Sequence, residues 1–265
     1  FYFYFYFLFF PLLFPYFPQI QSINSCSWLT LIHIPKKMWI IDLFNLFFPR
    51  LCNACGTILI KGEKIICLHC LYKLPKTNFH KHMDNPISRV FWGRVDIHSA
   101  TAFLFFSKGG KVQKLMHKLK YNGNQETGKR LGYLFGNELV NSEIYSDINI
   151  IIPVPLHKSK LKKRGYNQSD SISEGISKAM NIEFTNTSLV KIERTETQTR
   201  KSRYNRWKNV RGKFRIMNAN ELEGKHILLV DDVLTTGATL ESCAQTLMEI
   251  PNVRISIATL AYALV

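Results

Sequence analysis

The segment Ile227-Leu-Leu-Val-Asp-Asp-Val-Leu-Thr-Thr-Gly-Ala-Thr239 constrains the fold more than any other stretch of this chain. Four apolar residues lead into the adjoining carboxylates Asp231 and Asp232, and a Thr-Thr-Gly-Ala-Thr turn then opens a helical pattern of Leu240, Cys243, Ala244 and Leu247. A strand apolar at every position suits the buried middle of a parallel sheet, whose ligand crevice lies at the carboxyl ends of its strands. The two acids therefore arrive where a ligand would sit. Backbone N–H groups at a helix start have no partner within the helix, so the turn from Thr235 to Thr239 is suited to a phosphate. Gly237 permits close backbone approach, and the threonine hydroxyls at 235, 236 and 239 add donors.

Acceptor-only carboxylates beside a monophosphate cradle fit a ribose 5-phosphate, with the diol on Asp231 and Asp232 and the phosphate on the turn. The segment is neither a Walker loop, since Gly-x4-Gly-Lys is absent, nor the Gly-x-Gly-x2-Gly fingerprint of dinucleotide folds. It matches the phosphoribosyl pyrophosphate (PRPP) signature of type I phosphoribosyltransferases over all thirteen residues. The plainer alternative is an acid pair that ends a strand and a threonine turn that caps a helix.

A chain of 265 residues has room for one large domain and a small one. The formal charge of +16 calls for anionic partners, among them phosphorylated metabolites, nucleic acid or a membrane surface. Residues 1–37 differ from the rest: a Phe/Tyr repeat is followed by Pro11, Pro15 and Pro18, with no Lys, Arg, Asp or Glu before Lys36. A signal peptide needs a basic start and a small-residue cleavage site, and a membrane helix does not tolerate three such prolines. Translation is expected to begin at Met38, making residues 1–37 a non-native upstream extension, with a membrane-attached leader as the competing reading. No stable membrane insertion is expected, and the expected compartment is the cytoplasm.

Cys52-x2-Cys55 and Cys67-x2-Cys70 flank a short hairpin turning near Gly62. Each pair forms a knuckle that aims two thiolates at one ion, and four thiolates make a closed tetrahedral zinc site that stabilises without doing chemistry. Two disulfides are the alternative. His69 reads as a bystander and Cys243 as core. Residues 38–75 are expected to form this zinc-ribbon module and residues 76–265 the larger domain. His80 and His82 fall in a polar stretch that reads as a solvated loop. Val112, Leu115, Met116 and Leu119 mark one helical face, with Lys111, Lys114, Lys118 and Lys120 on the opposite one, which reads as a solvated face with polyanion binding as the alternative. A second helix is expected after Gly128.

The strand Ile148 to Val154 leads into a cationic segment read as a loop, whose His157, Lys158 and Arg164 are candidates for the pyrophosphate side. Lys191 to Arg215 carries ten Lys or Arg against two Glu and reads as a mobile lid. Its Arg200, Lys201 and Arg203, near Trp207, suit pyrophosphate or single-stranded DNA.

Taken together, Leu46-Phe-Phe-Pro-Arg-Leu-Cys-x2-Cys55, Cys67-x2-Cys70, Leu119-Lys-Tyr121, Pro153-Val-Pro-Leu-His157, Arg164-Gly-Tyr-Asn-Gln168, Gln198-Thr199, Asn209-Val210 with Phe214, and the PRPP signature resemble the ComF family. The likeness runs from Met38 to the C-terminus. It implies an α/β fold: a type I phosphoribosyltransferase-like parallel sheet flanked by helices, preceded by a small zinc-ribbon module. It further implies that Asp231 and Asp232 hold the ribose diol and that Thr235, Thr236, Gly237, Ala238 and Thr239 hold the 5-phosphate. The implied cofactors are structural zinc and magnesium with PRPP. Phosphoribosyl transfer to a nitrogen acceptor is the implied activity, and DNA-uptake machinery an implied partner. A PRPP or nucleotide sensor and a single-stranded-DNA accessory protein remain alternatives.

Overall fold

The computed structural model describes residues 47–121, 123–192 and 213–263. Helix α1 (Leu68–Tyr72) closes the second cysteine knuckle, and α2 (Pro86–Arg89) precedes strand β1 (Ser99–Phe106). Helices α3 (Lys111–Tyr121) and α4 (Gln125–Val140) lead to β2 (Ile150–Pro153), followed by α5 (Lys158–Arg164) and α6 (Gln168–Met180). A short antiparallel pair, β3 (Leu189–Lys191) and β4 (Phe214–Ile216), comes next. Then follow β5 (His226–Leu234), α7 (Ala238–Leu247) and β6 (Arg254–Ala263).

Among the described residues the main sheet has four parallel strands in the order β1-β6-β5-β2, so the acid-bearing β5 is interior. Residue alternation along β5 divides the core between its two faces. Leu228 and Val230 join Leu119, Phe135 and Ile172, whereas Ile227 and Leu229 join Leu240, Cys243 and Leu247. Both outer strands have company. Thr77 N donates to Phe103 O (3.0 Å) beside β1, and Thr185 N donates to Ile151 O (3.0 Å) beside β2. Such cover hides backbone groups that would otherwise template aggregation.

The cysteine module shares the core of the larger domain. Cys52, Ala54, Leu59, Ile66 and Leu74 belong to the same buried cluster as Leu115 and Leu119, and Asn53 Nδ2 donates to Thr127 Oγ1 of α4 at 2.7 Å.

Helices α4 and α6 meet across glycines. Added β-carbons on Gly132 and Gly175 would collide with the backbone carbonyls of Ile172 and Lys129, and one on Gly136 would lie 2.6 Å from Ala179 Cβ. Gly128, Gly132 and Gly136 recur every fourth residue and line one face of α4. Helix α4 thus begins before Gly128, which lies within it instead of preceding it.

Other expectations need correction. His80 is buried, not solvated: its ring lies 3.7 Å from Glu138, Ser142 Oγ donates to its carbonyl, and burial lowers its pKa. The cationic segment after His157 is helical because its Lys, Leu and Arg are good helix formers. His157 is its N-cap, and Gly165, at φ 79°, ends it in the left-handed conformation.

Candidate functional site

Strand β5 continues through Asp231 and Asp232 to Leu234, still paired with β6. This pairing fixes both acids on a rigid element. Asp231 Oδ1 accepts from Ser169 Oγ at 3.0 Å and from the Asp232 backbone N–H at 2.8 Å. Asp232 Oδ2 lies 3.0 Å from Lys120 Nζ, with the side chains 17% and 26% exposed respectively. Burial, reinforced by the Asp232 charge, pushes the Asp231 carboxyl up to about 7, against the opposing pull of the Asp232 amide, Ser169 and Lys120. The acid pair is therefore divided in character: Asp232 is held by a cation, while Asp231 titrates near neutrality.

Beyond the acids the chain turns through Thr235 and Thr236 into α7. Gly237 is the N-cap at φ 74°, with no side chain capping the helix start. Added bulk there would press on Val90 and Phe91, 3.1 Å away. A small pocket of about 50 Å³ is lined by Asp231, Val233, Leu234 and residues 235–240. Asp231 lines it and Asp232 does not, so the acid pair has a phosphate-turn side and a Lys120 side.

Arg94, which the sequence reading passed over, braces this turn. Its Nη1 donates to the carbonyls of Thr236 (2.9 Å) and Val90 (3.1 Å), and its Nη2 pairs with Glu241 of α7. Gln245 Nε2 donates back to the Arg94 carbonyl at 3.3 Å. No sequence period marks Arg94, because the contact joins residues 142 positions apart.

The pyrophosphate-side candidates are dispersed. His157 Nδ1 accepts from the Ser159 backbone at 3.2 Å and so starts α5, on which Lys158 is exposed. Arg164 donates to Gln168 Oε1 (2.6 Å), and its guanidinium lies over the Tyr121 ring, 5.9 Å from the centroid. The Tyr166 hydroxyl donates to the Leu119 carbonyl, tying the same motif to the end of α3. Asn167 Nδ2 donates to Val154 O (3.1 Å) and Asp170 Oδ1 (2.6 Å), fixing the start of α6 where Ser169 meets Asp231. Arg200, Lys201 and Arg203 lie outside the described residues.

Lys120 departs from the solvated lysine face to which its helix was assigned. At about 100° per residue it sits about 180° from Lys111, on the other flank of the apolar stripe. The helical wheel itself separates it from Lys111, Lys114 and Lys118.

The cysteines converge: the sulfurs of Cys52, Cys55, Cys67 and Cys70 all lie within 4.8 Å of one another. Cys55 and Cys67 are 3.8 Å apart. A tetrahedral thiolate site with metal–sulfur bonds of about 2.3 Å has edges of about 3.8 Å, so the donor set fits such an ion. Hydrogen bonds from Thr57 lower the Cys55 thiol to about 6, whereas burial pushes Cys70 up to about 12.

A further polar chain lies at the opposite end of the sheet. Ser256 Oγ is 2.8 Å from His226 Nε2, and His226 Nδ1 is 2.8 Å from Asp147 Oδ1. That bonding order belongs to a hydrolytic triad, but Ser256 and His226 are fully buried and have no path to substrate. It ties β5, β6 and the segment before β2 together.

Residues 151–264 match the phosphoribosyl transferase domain family. With the parallel sheet and its helices, this defines a phosphoribosyltransferase-type α/β protein. Among curated relatives, the DNA utilization protein YhgH of Shigella flexneri is 27% identical over 224 residues, covering 81% of this chain and 92% of the relative. Competence protein F of Haemophilus influenzae is 35% identical over 114 residues, covering 43% of this chain and 50% of its own length. Competence protein ComFC of Bacillus subtilis is 28% identical over 142 residues, covering 52% and 54% respectively. The domain match and these relatives together support a ComF-family protein. Among solved structures it is similar to glutamine PRPP amidotransferase from B. subtilis at 21% identity and a TM-score of 0.38, over 53% of this chain and 30% of that one. Adenine phosphoribosyltransferase from Leishmania tarentolae is 12% identical with a TM-score of 0.33, over 67% of this chain and 88% of that one.

Proposed function

We propose that the edge of the sheet at Asp231 and Asp232 binds PRPP with magnesium and transfers its phosphoribosyl group to a nitrogen acceptor. The observation that carries the reading is one wall shared by two functions: Asp231 lines the same small pocket as the unsubstituted helix start at Thr235–Thr239. A carboxylate there accepts from a sugar hydroxyl while the turn's N–H groups face a phosphate. In the transfer, the C1–O bond to pyrophosphate breaks with both electrons staying on oxygen. A nitrogen lone pair forms the C1–N bond, and that nitrogen sheds one proton. Asp231 and Asp232 orient the ring and offset the positive charge that develops on it. Magnesium would sit on the substrate's own oxygens beside these acids and neutralise the departing pyrophosphate.

The four thiols are assigned to structural zinc, with no open position for chemistry. The names of its relatives support a role in DNA use and competence. Single-stranded DNA and the uptake machinery are the partners that role implies.

Titration with PRPP and magnesium, joined to an assay of pyrophosphate release against a panel of nitrogenous bases, tests the proposal. Saturable binding and turnover are expected, both abolished by Asp231→Asn with Asp232→Asn. Binding without turnover would leave a sensor, and absence of both would end the reading.

The affinity should also depend on pH. Because Asp231 is raised to about 7, it takes up a proton below that pH and loses an acceptor. Affinity is expected to fall toward acid by at most about tenfold per pH unit from this group. Asp231→Asn, which removes the titration, should flatten the profile relative to wild type. Parallel profiles for the two proteins would contradict this assignment.

Arg94→Ala leaves the Thr236 carbonyl without its clamp. Ribose 5-phosphate affinity, measured by calorimetry, is expected to drop about tenfold, at the lower end of what a hydrogen bond to a charged group contributes. An unchanged affinity would remove Arg94 from the account.

A further inference from the structure

We infer that Lys120 is the residue that receives the pyrophosphate of PRPP, waiting on Asp232 when the site is free. This inference rests on the proposed PRPP site and adds a direction to it. The direction comes from the asymmetry of the acid pair: Asp231 shares the pocket with the phosphate turn, whereas Asp232 shares an ion pair with Lys120. A ribose 5-phosphate seated with its phosphate on the turn runs from C5 at that end, past the 3-hydroxyl and then the 2-hydroxyl, to C1. Asp231 therefore meets the 3-hydroxyl side and Asp232 the 2-hydroxyl side. C1 is bonded to C2, so the cation in contact with Asp232 stands on the C1 side of the sugar, where the pyrophosphate is attached.

Lys120 has the properties such a role needs. It lies in the last turn of α3 on a flexible four-carbon stem, and it is 26% exposed, so its ammonium has room to turn. Its carboxylate partner is itself largely covered, so leaving that carboxylate unpaired is costly, which keeps the ammonium at the site before substrate arrives. The Arg164 guanidinium covers the ring of Tyr121, the residue that follows Lys120 at the end of α3. When the diol takes over the Asp232 carboxylate, the ammonium is released toward an anion adjoining it. Lys120 then holds the leaving group by charge alone, with no proton transferred.

The test compares PRPP with ribose 5-phosphate, which lacks the pyrophosphate, by calorimetry on metal-loaded full-length protein in magnesium. Wild type, Lys120→Met and Lys120→Arg are titrated with each, and thermal melts confirm that the variants fold. Lys120→Met is expected to weaken PRPP about 10- to 100-fold, the scale of a charge-assisted contact, while ribose 5-phosphate changes by less than about threefold. Lys120→Arg should restore part of the PRPP affinity. Parallel loss of both ligands would show that Lys120 only shapes the acid pair, and no loss of either would remove it from the site; both outcomes overturn the inference. If Lys120→Met melts well below wild type, Lys120→Gln is read in its place. Wild type binding PRPP no tighter than ribose 5-phosphate defeats the inference and leaves the sugar-phosphate site standing. Wild type binding neither ligand defeats both.

Discussion

Cys70→Ser is expected to abolish stoichiometric zinc and lower the melting temperature by roughly 10 °C, equivalent to about 4 kcal/mol in a domain of this size. Cys70 is fully buried within α1, and its sulfur is one of four held within 4.8 Å of one another. The stretch that carries these thiols has little other regular structure: one helix of five residues and an isolated pairing of Leu51 with Ile58. Apparent zinc-binding energies in small thiolate modules reach about 10–16 kcal/mol, and most of that is folding energy. The loss here is expected to be smaller because Cys52, Leu59, Ile66 and Leu74 also pack into the main core. Metal analysis and thermal melts check the outcome. Full zinc content in the variant, or an unchanged melt, would contradict a structural metal. Chelator should strip the metal faster as the pH falls, since thiols that regain protons no longer compete for the ion.

Gly132→Ala should destabilise the protein by about 2–3 kcal/mol, the cost of overpacking a close helix contact. The sign makes the prediction sharp. In a helix interior, alanine is ordinarily better than glycine by about 0.5–1 kcal/mol. Here the added methyl meets the Ile172 carbonyl, which is backbone and cannot swing aside. Packing therefore outweighs propensity, and α4 and α6 must part. Helix α6 carries Ser169 to Asp231, so the same change should weaken PRPP binding as well. Lys129→Ala, on the exposed rim of the same contact, loses its 2.8 Å pair with Glu174 and should cost less than about 1 kcal/mol. Denaturant unfolding separates the two variants. A Gly132→Ala protein as stable as wild type would show that the helices tolerate separation.

The parts of this protein that were legible in its sequence are those where neighbouring residues act together. Asp231, Asp232 and the Thr235–Thr239 turn are consecutive, so strand, acid edge and helix start could be read in one pass. The cysteine pairs carry their meaning in fixed spacing. Lys120 is hidden differently: its charge matches that of Lys111, Lys114 and Lys118, although the helical period sets it apart. The every-fourth glycines of α4 held a packing signal that apolar periodicity does not register. Arg94 and the His80 pocket had no local mark, because their partners come from distant segments. The 158–164 helix is hard to tell from a loop in the sequence because it lacks an apolar face, and no residue of it is buried.

The central claim, that the acid pair and the turn together seat a ribose 5-phosphate, is tested most directly by the crystal structure of a complex with PRPP and magnesium. The account predicts phosphate oxygens within about 3 Å of the backbone nitrogens of the Thr235–Thr239 turn, with the diol on Asp231 and Asp232 at hydrogen-bond distance. A ligand whose 5-phosphate lies away from that turn, or whose diol touches neither acid, would contradict it.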